Sequence, residues 1–87
     1  MQRVMLDQIE LSAEVVATLE HYVTRHCPRG TLWIGAIEAA PQSAYWLWHS
    51  FGEAPVSMTV SRASLSGPNT LQETWECFFA KWQRRMQ

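Results

Sequence analysis

The feature that most constrains this chain is an apolar stripe in its last seventeen residues. Thr70 followed by Glu73 has the pattern of a capping box, in which two side chains satisfy backbone N–H groups at a helix start. The large apolar residues that follow lie within about 100° of arc on a helical wheel, the width of a core-facing stripe. They are Leu71, Trp75, Phe78, Phe79, Trp82 and Met86. The pattern predicts a helix over 70–86, which must pack on an apolar surface supplied by the rest of the chain.

A second amphipathic helix is predicted over 12–26. Ser12 is suited to cap its first turn, and Leu11 and Val16 have the spacing of a hydrophobic staple across that cap. Pro28 disfavours helical geometry at the residue before it, so the helix should end near His26. Residues 1–11 have no comparable pattern, and we expect a loosely ordered lead-in there.

Between the two helices, three segments have the composition and alternation of strands, namely 31–38, 44–51 and 56–62. The links between them are short and contain Pro41, Gly52 and Pro55, which favours antiparallel hairpins. Because two amphipathic helices both need an apolar sheet face, we expect them side by side on the same face. The prediction is one α+β domain over 1–87, a two-layer sandwich in which a three-stranded antiparallel meander lies between the helices in the chain (αβββα).

The aromatic residues of the predicted sheet are the main candidates for a binding surface. If Leu47 faces the helices, Trp46 and Trp48 point away from them, and Trp33 joins them if its neighbours in the strand face inward. With Ser57 and Thr59 these tryptophans would then form a solvent-facing aromatic platform, of the kind that usually binds a partner protein. The opposite orientation, with Trp46 and Trp48 in the core, fits the alternation equally well, so the pattern leaves the buried face open.

Three basic residues, Lys81, Arg84 and Arg85, lie toward the end of the predicted final helix. Cations in the last turns of a helix usually complement its dipole and remain solvated. The functional alternative is a charged contact with phosphate or with an acidic partner. The formal net charge of −1 argues against strong generic attraction to nucleic acid or to an anionic membrane.

No pattern in the chain predicts a catalytic, metal or cofactor site. The two cysteines, Cys27 and Cys77, are too few for a disulfide scaffold, and neither a CxxC nor an HxxxH spacing occurs. Carboxylates are scattered, and there is no glycine-rich phosphate loop. We therefore expect a non-enzyme with no catalytic residues, no metal and no cofactor. Since no apolar stretch approaches a membrane span and no signal peptide is recognisable, we expect a cytoplasmic protein without a membrane partner.

These observations favour a small accessory protein that binds another protein or associates as a homodimer through the aromatic sheet face or a strand edge. An inhibitor or regulator encoded on a mobile element is one form that it could take. A nucleic-acid-binding module is an alternative, because the order αβββα is that of double-stranded-RNA-binding domains. Those domains carry lysines where this chain has residues 70–74 with Glu73, so nucleic acid is the less favoured partner. A small ligand held between helices and sheet is a further alternative.

Overall fold

The computed structural model describes residues 2–86, so the two ends of the predicted domain, residues 1 and 87, lie outside it. The chain forms a four-stranded mixed sheet and two long helices, and the predicted α+β class is confirmed. In chain order the elements are β1 (Val4–Asp7), α1 (Ala13–His26), β2 (Thr31–Ala36), β3 (Ser43–His49), β4 (Val56–Ser61), a short 3₁₀ helix (Arg62–Leu65) and α2 (Pro68–Met86).

The predicted three-stranded sheet and loose lead-in are wrong in one respect, because the lead-in contains a fourth strand. β1 pairs in parallel with β2, and the strand order across the sheet is β1-β2-β3-β4. A carboxylate from α1 holds the start of β1: Glu20 accepts hydrogen bonds from the backbone N–H groups of Arg3 and Val4, with N–O distances of 2.9–3.0 Å. The chain order is therefore βαβββα, which removes the topological likeness to double-stranded-RNA-binding domains.

The two helix starts depend on different local chemistry. Ser12 caps α1 as predicted, since its hydroxyl accepts a hydrogen bond from the N–H of Val15 at 3.2 Å. The predicted capping box at the second helix is wrong. α2 begins at Pro68, a residue favoured at a first helical position because it has no N–H to satisfy. Thr70 consequently lies inside the first turn, where its hydroxyl donates to the carbonyl of Gly67.

One sheet face, here called the helix face, forms the core with both helices. Its buried side chains come from all four strands and pack against Leu19 and Val23 of α1 and Leu71, Trp75 and Phe78 of α2. The strands contribute Val4, Leu32, Ile34, Ala44, Trp46, Trp48, Val56 and Val60. Because strand side chains alternate, the even-numbered strand residues, including the half-buried Met58, belong to this face, and the odd-numbered ones lie on the opposite surface, here called the open face.

Candidate functional site

The sheet tryptophans are divided between the two faces. Trp46 and Trp48 are 0% and 1% exposed on the helix face, so their predicted place on a solvent-facing platform is wrong. The aromatic residues of α2 explain the orientation, because they supply large partners for both indoles. Trp46 lies 5.5 Å from the ring centre of Phe78, and Trp48 meets Trp82 edge to face at 5.6 Å. Of the three, Trp33 alone is on the open face, where it is 36% exposed.

The open face retains an apolar row that crosses three strands. Strand register places Met5 beside Trp33, Trp33 beside Leu47, and Leu47 beside Ser57. Met5 and Leu47 are half-buried and Ser57 is exposed. No helix within residues 2–86 belongs to this side of the sheet, since both long helices contribute to the core on the other side. Trp33 is thus at the centre of a narrow apolar strip with a polar end at β4.

A polar unit lies one pair of residues further along the same face. Tyr45 donates a hydrogen bond from its hydroxyl to the Asp7 carboxylate at 2.7 Å, although β2 separates their strands. The tyrosine ring spans the gap by lying directly on Gly35, where an added Cβ would come within 2.2 Å of the ring. The hydrogen bond to Asp7, together with desolvation and the nearby negative charge, raises the pKa of Tyr45 to about 12. The geometry therefore holds a proton on the phenol.

The predicted hydroxyl residues Ser57 and Thr59 are exposed on β4, an edge strand of the sheet. Just beyond the paired residues of β3 and β4, the N–H of Arg62 donates to the carbonyl of Gln42. Because every second residue of a strand directs its backbone N–H and C=O to the same side, this bond shows which residues of β4 bond to β3. Even-numbered residues of β4 direct their backbone groups toward β3. Ser57 and Thr59 therefore direct theirs away from the sheet.

Of the predicted basic residues, Lys81 contacts this edge. The Lys81 ammonium donates to the outward-facing carbonyl of Ser57 at 2.5 Å. Arg84 and Arg85 are exposed, and on the α2 wheel they lie about 60° and 40° from Lys81. Within residues 2–86 the only salt bridge joins Arg29 to Glu53, so none of these three cations is within 4 Å of a described carboxylate.

The histidines and cysteines within residues 2–86 are the side chains to examine for metal binding and nucleophilic chemistry. No cluster of three or more His, Cys, Asp or Glu side chains with metal-binding geometry occurs among residues 2–86. Cys27 is buried, and desolvation raises the pKa of its thiol to about 12, which disfavours the nucleophilic thiolate. Cys77 is exposed on α2 and His49 is exposed on β3, on different elements of the fold.

A cleft with a volume of about 360 Å³ lies at the end of the sheet where α1 begins. It is lined by the segment from Ile9 to Ser12 and by Val15, Arg62, Leu65 and Ser66. Neither His49 nor Cys77 lines it, and it is not enclosed between the helices and the sheet. The cleft therefore lacks the features that would favour the small-ligand alternative.

The sequence patterns did not identify Phe51 as an exposed aromatic residue, because it falls within the predicted second strand, 44–51. Phe51 is fully exposed in the turn after β3, next to Gly52, whose φ of 81° requires glycine-like freedom. The turn is held by Ser50, whose hydroxyl donates to the Arg29 carbonyl at 2.9 Å. The adjacent Gly52 was the sequence signal that could have ended the strand before Phe51.

Comparison with protein-family models, with curated protein sequences and with solved structures gave no significant match. No helix in the described part of the chain has the length and apolar character needed to cross a membrane. Within residues 2–86, the open face and the β4 edge are the surfaces from which we infer a function.

Proposed function

We propose that this protein is a small non-enzymatic accessory protein that acts by binding protein, and that its open face mediates association into a homodimer. The observation that carries the proposal is the position of Trp33, a large aromatic residue 36% exposed on the sheet face opposite both helices. Tryptophan is enriched among the residues that contribute most to protein–protein affinity.

The composition of the open face supports a protein contact. Its centre is apolar, with Met5 and Leu47 on the strands beside Trp33. Its margin is polar, with Asp7 and Thr59 on the two edge strands. An apolar centre within a polar margin is the usual anatomy of a protein interface. Two such faces can pack across a two-fold axis, because each presents the same strip to the other. The strip is narrow, so the dimer is expected to be weak, with a Kd on the order of micromolar or above.

Sedimentation velocity over a concentration series from about 1 to about 500 μM would test this. We expect the wild type to shift from monomer toward dimer, and Trp33→Asp to remain monomeric at every concentration. Phe51→Asp is the matched control, because it introduces the same charge in place of a fully exposed aromatic ring that is not on a strand of the open face. A wild type that stays monomeric throughout and captures no other protein would refute the proposal.

The biological setting is also a proposal. We place the protein in the cytoplasm, where its two free cysteines, one of them the exposed Cys77, would remain reduced. A small protein-binding domain suits an inhibitor or regulator, including one encoded on a mobile element. Immunoblots of cell fractions would test the location, and recovery of the protein in a membrane or secreted fraction would contradict it.

A further inference from the structure

We propose that the outer edge of β4 binds an extended acidic segment of a partner protein, which pairs with β4 as an additional strand. The inference rests on the proposed function in that it assumes a protein-binding role, but it concerns a different surface and a partner other than a second copy. It depends on the backbone of Ser57 and Thr59 and on the charge of Lys81.

The backbone of β4 is already arranged to accept a strand. The N–H and C=O groups of Ser57 and Thr59 point away from β3, as the hydrogen bond between Arg62 and Gln42 shows. β4 is six residues long, contains no proline and has an uninterrupted register with β3. Proteins that recognise extended peptides at a sheet edge obtain affinity from main-chain hydrogen bonds of this kind.

The opposite edge of the sheet is shorter and is occupied at its start, which makes the exposure of β4 informative. β1 has four residues, and Glu20 of α1 binds the N–H groups at its start. Short edge strands covered by a neighbouring element are a common way to prevent strand addition. β4 is two residues longer, its outward-facing residues Ser57 and Thr59 are exposed, and the flexible side chain of Lys81 contacts it there.

The charge around β4 determines what kind of strand it would accept. Lys81 approaches from α2 on the helix face and donates to the Ser57 carbonyl, a contact that an incoming N–H would replace. The displaced ammonium would then meet a carboxylate on the same face of the incoming strand. Arg84 and Arg85 extend the positive charge along α2, and no described carboxylate pairs with any of the three. Charge complementarity of this type increases association rates and suppresses wrong partners.

Two other occupants fit these observations less well. A second copy paired through β4 would bring Lys81 and its neighbouring arginines toward the same cations of the other copy, at a cost in like-charge repulsion. A nucleic acid would satisfy the charge but would leave the outward N–H and C=O groups of Ser57 and Thr59 without the alternating partners that a strand supplies. Side chains alternate along a strand, so the expected segment has acidic residues at every second position.

A capped peptide of about seven residues, alternating glutamate and threonine, is a suitable probe for this edge. We expect it to bind at low salt and to slow hydrogen exchange at the amides of Ser57 and Thr59, measured by NMR. A peptide with lysine in place of glutamate should bind at least about tenfold more weakly. Equal binding of both peptides, or protection confined to amides of β1, would overturn the proposal.

Two variants separate the backbone and charge contributions. Thr59→Pro removes an outward N–H without removing a bond to β3, a position where an edge strand tolerates proline. It should weaken peptide binding by about tenfold or more while the circular dichroism spectrum is unchanged. Lys81→Glu should reverse the preference between the two peptides even if Thr59→Pro fails to fold. Arg25→Glu, with the same charge change at an exposed site on α1, is the matched control and should leave the preference unchanged.

The same preparations distinguish this proposal from the preceding one. If the wild type dimerises but does not bind the glutamate peptide, the strand-addition proposal alone is refuted. If Trp33→Asp is monomeric and still binds the peptide, the two surfaces act independently and both proposals are supported. A single-stranded oligonucleotide that binds more tightly than the glutamate peptide and protects neither Ser57 nor Thr59 would instead identify β4 and α2 as a nucleic-acid contact.

Discussion

Replacing Gly35 by alanine should destabilise the protein because Tyr45 occupies the space that the new methyl group needs. The ideal Cβ would lie 2.2–2.5 Å from three atoms of the tyrosine ring, including its hydroxyl oxygen. The ring must therefore lift from β2, and its 2.7 Å hydrogen bond to Asp7 is lost or lengthened. Gly35 thus permits a side chain of β3 to reach across an intervening strand to β1.

The size of the effect follows from three contributions. A partly exposed hydrogen bond to a carboxylate contributes about 1–2 kcal/mol, and forcing extra volume into a packed contact costs about 1–3 kcal/mol. The two overlap, because lifting the ring relieves the clash at the expense of the bond. Alanine regains about 0.5 kcal/mol through lower backbone entropy in the unfolded chain. We expect Gly35→Ala to lower the free energy of unfolding by about 1–3 kcal/mol.

Urea denaturation of a double-mutant cycle would measure this coupling. In a Tyr45→Ala background the space above Gly35 is empty, so Gly35→Ala should be neutral within about 0.5 kcal/mol or slightly stabilising. The interaction free energy between the two positions should then be about 1–3 kcal/mol. An equal cost for Gly35→Ala in both backgrounds would show that the tyrosine ring is not the cause, and would refute this explanation.

Three further predictions concern burial and ionisation. In chemical denaturation, Trp48→Ala should lower the free energy of unfolding by about 3–5 kcal/mol. Trp33→Ala should lower it by only about 1–2 kcal/mol, because no closed cavity forms at a partly exposed site. Equal losses would contradict the assignment of the two tryptophans to opposite faces of the sheet. The thiol of Cys77 should react with a disulfide reagent in the folded state well before that of Cys27, and simultaneous reaction would mean that the core opens rapidly. The folded-state pKa of Tyr45 is raised to about 12, so its contribution to stability should be complete below the unfolded pKa of about 10 and lost as pH rises toward 12. In Tyr45→Phe, the loss of stability between about pH 10 and 12 should be smaller. A stability profile in this pH range that matches the wild type would contradict the Asp7 contact.

Local sequence patterns predicted most of the regular structure because they depend on contacts between near neighbours. The apolar spacing of α2 follows the helical period, and Ser12 acts on an N–H three residues away. The start of α2 was misjudged by two residues because Pro68 begins a helix as well as Thr70 can cap one. β1 was missed because four residues carry little pattern, and its stability comes from pairing with Leu32 and from Glu20, which is distant in the sequence.

The sequence by itself determined that the chain has two amphipathic helices, a set of hairpin strands and more aromatic residues than one small core usually contains. Which of those aromatic residues face solvent was decided only in the tertiary structure. Alternation in β3 places Tyr45 and Leu47 on one side and Trp46 and Trp48 on the other, and both sets are apolar enough to be buried. The choice depends on space between elements distant in sequence, with Trp48 packed against Gly30 and Tyr45 lying on Gly35. The binding surfaces follow from the same cause, because a strand edge and a sheet face exist only after the strands have paired.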